Sequence, residues 1–201
     1  MSKRTASIER NTSETQIAIE LNIDGSGNYT HDTPIPFLNH MLDLFAKHAL
    51  LDVEIKAEGD VEVDYHHLVE DIGIVLGSAF KEAIGDRKGI NRYGFWVLPM
   101  DEAQAQAEVC LDLSGRPFFV YTFEHEQKYI RDFDVTIMKH FWRSFSDAAQ
   151  MNLHIELKFG EDLHHCIEAV FKAVARAMRM ACAQDPRALD QVPSSKGRLG
   201  T

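Results

Sequence analysis

Two segments of this chain, His66-His67-Leu68-Val69-Glu70 and His164-His165-Cys166-Ile167-Glu168, repeat one arrangement of ligating side chains 98 residues apart. Each has a further histidine upstream, His40 at 26 residues before His66 and His140 at 24 before His164. Imidazole nitrogens and carboxylate oxygens in this number are donors for divalent metal ions. On a helix, His66 and Glu70 share a face while His67 points about 100° away; His164, Glu168 and His165 repeat that geometry. A lone histidine is ordinarily a surface or core residue. Two copies of the same set, with matched upstream partners, point instead to two bound metals. The donors include no thiolate, which argues against a closed structural zinc site, and zinc, manganese, iron or cobalt would all accept them. Open coordination positions imply Lewis-acid work on a bound ligand. Asp64, Asp71 and Asp162 stand close enough in sequence either to orient the ligating rings or to serve as helix-start residues.

Elements that present these groups must themselves be duplicated, and the chain carries that signature. At an offset of 88, Glu14-Thr15 falls on Glu102-Ala103, and the alternating run Ile17–Ile23 falls on Ala105–Leu111. His40–Phe45 matches His140–Phe145, and Asp52–Ile55 matches Asn152–Ile155. Each half therefore reads as a period-two strand, a turn (24–27 or 114–117), a second strand, an amphipathic helix bearing the lone histidine, a strand at 52–57 or 152–158, and a helix led by the histidine pair. The expected fold class is α+β: an internally duplicated half-domain, with mostly antiparallel sheets packed against helices. The halves span 1–95 and 96–186, followed by a C-terminal tail, 187–201. A pseudo-twofold would exchange His40 with His140, His66 with His164, His67 with His165 and Glu70 with Glu168.

Composition narrows the class. At 201 residues and 45% hydrophobic content the chain can bury a sizeable core. A net charge of −10 excludes a general binder of nucleic acid or anionic membrane, so an anionic substrate must meet a local basic pocket. Cys110, Cys166 and Cys182 are odd in number and lack framework spacing, which fits a reducing compartment. Cys166 is read as a packing residue, because Leu68 holds its place in the first copy. The opening residues do not read as a signal peptide and no apolar run approaches the ~20 residues that span a bilayer, so a cytoplasmic location is expected. The stretch Pro193-Ser194-Ser195-Lys196-Gly197 combines hydroxyls, a cation and a glycine, a composition that suits phosphate as well as an ordinary polar tail.

Six stretches then match one family: Arg10-Asn11-Thr12-Ser13-Glu14-Thr15, Phe37-Leu38-Asn39-His40-Met41-Leu42, His66–Asp71, Asp112-Leu113-Ser114-Gly115-Arg116-Pro117, His164–Ala173 and Pro193–Gly197. Over essentially its whole length the chain resembles the imidazoleglycerol-phosphate dehydratases. The resemblance implies dehydration of imidazole glycerol phosphate to imidazole acetol phosphate in histidine biosynthesis, with two manganese ions per active site. One ion would be held by His40, His67, His164 and Glu168, the other by His66, Glu70, His140 and His165. The substrate phosphate would meet Arg92, Arg116, Lys172, Ser194, Ser195 and Lys196. Glu14, His67 and Glu168 are the catalytic residues it implies, with Glu14 as the acid–base carboxylate in contact with substrate. It further implies metals between subunits of a homo-oligomer of 24 chains; at 201 residues the chain lacks the length for the fused phosphatase domain of some relatives, so a dehydratase alone is expected. Four positions depart from the family's usual residues: Asn39 and Tyr65 (Asp), Leu68 (Thr) and Asp162 (Asn). None is a proposed ligand; they touch second-layer contacts and substrate affinity.

Two rivals remain from the residues alone. A dinuclear metallohydrolase would use the same donors to activate water. A non-enzymatic assembly protein would use metal only to staple subunits. An enzyme should bring Arg92, Arg116, Lys172 and Lys196 together near the metal ligands.

Overall fold

A computed structural model of the chain describes residues 4–101 and 105–200. The overlay of Glu14-Thr15 on Glu102-Ala103 lies outside the described residues, as do residues 1–3 of the first half and residue 201 of the tail.

The first half contains strands β1 (Thr5–Asn11), β2 (Thr15–Asn22) and β3 (Tyr29–Asp32), helix α1 (Pro36–Ala49), strand β4 (Asp52–Gly59) and helix α2 (His66–Ile84). The second contains β5 (Tyr93–Met100), β6 (Ala105–Asp112), β7 (Phe118–Thr122), the short strands β8 (Tyr129–Ile130) and β9 (Phe133–Asp134), helix α3 (Met138–Ala149), β10 (Asn152–Phe159) and helix α4 (Leu163–Cys182). The two four-stranded sheets have the same order, β1-β2-β4-β3 and β5-β6-β10-β7. In each, two antiparallel pairings are followed by one parallel pairing, β3 with β4 and β7 with β10. The fold is α+β.

The sequence pattern assigns each half two strands before its first helix, and the structure adds a leading one, β1 or β5. Its signal is weak because β1 buries only Ala6 fully and carries two consecutive charged residues, Glu9 and Arg10. Pairing with β2, from Thr5 opposite Asn22 to Asn11 opposite Gln16, defines it. The β8–β9 hairpin is likewise an addition in the second half.

Period-two burial of Ile17, Ile19 and Leu21 on β2, against Val53, Ile55 and Ala57 on β4, gives the first sheet its apolar face. Ala107, Val109 and Leu111 on β6 with Leu153 and Ile155 on β10 repeat it. The four helices fill the space between these faces. Helix α2 crosses α3 closely because Gly73 and Gly77 present no Cβ: a methyl group there would lie 2.6 Å from the Phe141 carbonyl and 2.5 Å from that of Phe145. Gly73 and Gly77 follow His66 and Glu70 at helical spacing. The stripe that lets the helices touch is thus the one carrying the ligating side chains. Among the described residues, no helix is long and apolar enough to cross a membrane.

Candidate active site

Helices α2 and α4 open on their histidine pairs, with carboxylates just ahead of their first turns. The Asp64 side chain accepts the His66 amide at 2.7 Å, and Asp162 caps α4 by accepting the His165 amide at 2.9 Å. Asp64 is therefore a helix-start residue, and Asp162 is that and a neighbour of a ring: His165 Nδ1 lies 2.7 Å from Asp162 Oδ1, though poorly aligned for a hydrogen bond.

The ligating groups gather across the halves. Helix α1 packs on α4, so His40 from the first half meets His164 and Glu168 from the second. His40 Nε2 lies 2.7 Å from Glu168 Oε1, and His164 Nε2 lies 3.3 Å from the same oxygen. Helix α3 packs on α2, so His140 from the second half meets His66 and Glu70 from the first. The His66 and His140 rings stand 4.6 Å apart, and His66 Nε2 lies 3.0 Å from Glu70 Oε2. In each trio the donor atoms lie within 4.8 Å of one another. The trios exchange under the operation that exchanges the halves.

Glu168 is the buried member, 8% exposed. Burial by itself would raise its pKa; hydrogen bonds from Lys172, at 2.7 Å, and from His40 more than reverse this and hold the carboxyl at about 2. Glu70 is more open, and its second oxygen accepts the Ser144 hydroxyl at 3.3 Å. Ser144 lies one helical turn past His140, and a serine carries no metal-donor signature in the sequence.

His67 and His165, placed fourth in each ligand set, do not join the trios of their own chain. Both turn away as their helical position requires, and both rest Nδ1 against a carboxylate. The His67 contact is a 3.0 Å bond to Asp60 Oδ2. That bond, then the charge of Glu14, raises the His67 pKa above the ordinary imidazole range. A carboxylate on one ring nitrogen leaves the other presented outward, the orientation typical of a metal-ligating histidine. No repeat pattern marks Asp60, which stands seven residues before His67, whereas Asp162 stands three before His165.

Glu14 lies in the β1–β2 turn and is exposed. Its carbonyl accepts the Asp60 amide at 3.1 Å, so the residue that steadies His67 also borders the Glu14 turn.

The basic residues divide into two groups. Lys172 belongs to the Glu168 trio. Arg92 and Arg116 lie instead with the C-terminal tail. Arg92 forks onto Asp112 (2.7 and 3.0 Å) and donates to the Pro193 carbonyl at 2.8 Å, while Arg116 donates to the Gly200 carbonyl at 3.1 Å. Ser194 Oγ accepts the Lys196 amide at 3.2 Å, forming a compact turn in which Ser195 and Lys196 are exposed. The Arg92 amide bonds to Ala181 at the far end of α4. At 1.5 Å per residue, that end is roughly 25 Å from His164. Within one chain, then, Arg92, Arg116 and the 193–197 turn come together, but apart from the trios. Cys166 is buried and its thiol is pushed up to about 11 by burial, which fits packing.

Comparison with known proteins gives a consistent result. The family model described as imidazoleglycerol-phosphate dehydratase matches residues 33–178. A protein of that name from Pelobacter propionicus is 54% identical over 196 residues, covering 98% of this chain and 99% of its own. One from Alcanivorax borkumensis is 51% identical, covering 99% and 97%. A crystal structure of imidazoleglycerol-phosphate dehydratase from Staphylococcus aureus superposes with a TM-score of 0.81 at 36% identity, covering 90% of this chain and 99% of that one. A crystal structure of the Pyrococcus furiosus IGPD in complex with (S)-C348 gives 0.81 at 32% identity, covering 96% and 100%.

Proposed function

We propose a division of labour for the site from one premise: this chain belongs to the imidazoleglycerol-phosphate dehydratase family, hydro-lyases of histidine biosynthesis. On this reading it dehydrates imidazole glycerol phosphate to imidazole acetol phosphate with two manganese ions per active site. The observation that carries the reading is the pairing of each lone histidine with the opposite half's helix, giving two equivalent trios of imidazoles and carboxylate.

The donors fit such ions. Each trio offers two imidazoles and one carboxylate, without thiolates, and leaves coordination positions open. His40, His164 and Glu168 would hold one ion and His66, Glu70 and His140 the other. His67 and His165 would complete these sets from neighbouring copies of the chain, since their outward nitrogens face away from their own trios. The ions would act as Lewis acids toward the substrate's imidazole ring.

The remaining work falls to the chain's own side chains. The hydroxyl on the carbon attached to the ring must leave as water. The neighbouring carbon must lose a proton, giving an enol that becomes the ketone. Glu14, beside His67, is the carboxylate placed to handle protons. Arg92, Arg116, Lys172, Ser194, Ser195 and Lys196 would hold the phosphate, with guanidinium forks and ammonium donors forming strong charge-assisted bonds. The roughly 25 Å between Arg92 and the His164 end of α4 exceeds what a three-carbon side chain can bridge. Substrate contacts from more than one copy follow, and we assign the chain to a large homo-oligomer of 24 subunits. The two halves, 1–95 and 96–186, are read as copies of one unit, with 187–201 as the tail that serves the phosphate.

Turnover of imidazole glycerol phosphate by the manganese-loaded protein tests this. The ketone product should accumulate without release of inorganic phosphate. Phosphate release with no ketone would establish the metallohydrolase instead, and neither product would leave the assembly role.

Arg116 gives a finer test, because among the described residues its exposed guanidinium bonds only a tail carbonyl. Arg116→Ala should raise KM about 10- to 100-fold, the loss of a charged hydrogen bond, with little change in kcat. Steady-state kinetics with an unchanged KM would remove Arg116 from the phosphate set.

A further inference from the structure

Asp71 follows the ligand Glu70 on α2 but faces elsewhere. It stands one helical turn beyond His67, on the side of the helix that meets the first sheet. The residue is 9% exposed, and it is neither helix cap nor partner of a ligating ring. Its Oδ2 accepts the Thr15 hydroxyl at 2.5 Å and is ion-paired with Arg10 Nη1. Arg10 Nη1 also lies 3.5 Å from Thr15 Oγ1. The two partners flank the β1–β2 turn, Arg10 at the end of β1 and Thr15 at the start of β2.

Inside that turn the connection continues. Thr12 Oγ1 lies 3.2 Å from Thr15 Oγ1 and accepts the amides of Glu14, at 3.1 Å, and Thr15, at 3.0 Å. An unbroken path therefore runs from the Asp71 carboxylate through two threonine hydroxyls to the Glu14 backbone. Its far side is closed by the Asp60 amide on the Glu14 carbonyl, and Asp60 holds His67.

The duplication supplies a control. Position 71 corresponds to Ala169 in the second copy, a fully buried residue with no polar group. The helix thus packs without a carboxylate at this point, so the fold alone does not require one. A carboxylate at this point belongs to the first half alone.

We propose that Asp71 is a positioning residue: through Arg10, Thr15 and Thr12 it fixes the Glu14 turn to the helix that presents His66, His67 and Glu70. This rests on the acid–base reading of Glu14. A shift of an ångström in a proton-transfer group is enough to cost a large rate factor, whereas binding depends on it less.

The test is a double-mutant cycle on kcat in the manganese-loaded assembly, using Asp71→Asn, Thr15→Val, Thr15→Ser, Glu14→Gln and the Glu14→Gln/Asp71→Asn pair, with KM and manganese content measured for each. Asp71→Asn and Thr15→Val should lower kcat about 10- to 100-fold, leave KM within about threefold and retain full manganese. Thr15→Ser should restore kcat, since it keeps the hydroxyl. In the Glu14→Gln background Asp71→Asn should cause no further loss. A normal kcat in Asp71→Asn and Thr15→Val, with Glu14→Gln impaired, overturns the proposal and leaves the Glu14 reading intact. A normal kcat in Glu14→Gln overturns that reading instead. An equal loss in both backgrounds, or a fall in manganese, makes Asp71 a support of the ligands or the fold. Should Asp71→Asn fail to assemble, the near-isosteric Thr15→Val and its serine rescue decide the matter alone.

Discussion

Glu168→Gln should lower kcat/KM by at least about 100-fold and release manganese from one of the two sites, because loss of a ligand exceeds the usual effect of losing a ligand's supporting partner. The substitution keeps size and shape. It removes the negative charge on which His40, His164 and Lys172 converge, and places an amide where two imidazoles meet. Metal analysis of the purified variant, with wild type in parallel, is the check; full manganese content with normal turnover would remove Glu168 from the ligand set. Stability supplies an independent reading in the metal-free protein. The folded carboxyl sits at about 2 against an ordinary 4.5, so its contribution is present in full above about 4.5 and fades as pH falls toward 2. Wild type should show that increment by denaturant unfolding, and Glu168→Gln should lack it. At neutral pH the variant also leaves the Lys172 ammonium, 16% exposed, without its counter-charge. A cost of about 1–3 kcal/mol follows.

What the sequence discloses is unequal across the molecule. Parts of the candidate trios were legible because helical spacing is strict: a histidine four residues before a carboxylate must share its face, and the duplicate marks one upstream histidine in each half. That His40 serves the other half's helix is a tertiary fact, settled where α1 packs on α4 rather than by any local pattern. Leading strands β1 and β5 were hidden for a different reason. Their ladder comes from a neighbour, and their outward positions include Tyr93, Phe95 and Val97, so apolar alternation does not mark an inner face. The Arg10–Asp71 pair spans 61 residues and has no counterpart in the second copy, so neither spacing nor repetition announces it. In the tail, composition left phosphate binding and an ordinary polar end open. Hydrogen bonds from Arg92 and Arg116 to carbonyls of Pro193 and Gly200 show that it is docked.

His67→Ala should abolish turnover and weaken manganese retention while leaving the folded chain nearly untouched. The side chain is 40% exposed, and it hydrogen-bonds to Asp60. Removing it should leave the denaturant midpoint essentially unchanged, as for other surface positions. Loss of metal from so marginal a change would mark His67 as a ligand, and the trio of its own chain does not include it. The decisive measurement is complementation. His40→Ala damages the trio but keeps the outward histidine, and His67→Ala does the reverse. Each alone should be inactive. When the two are unfolded together, mixed equally and refolded with manganese, about a quarter of the sites should pair an intact trio from one chain with an intact His67 from another, and activity should return to about that level. If His67 acted within its own chain, no mixture would recover activity, because every chain would still lack one ligand. The same cross with His140→Ala and His165→Ala probes the second site, and the pseudo-twofold requires the same outcome there.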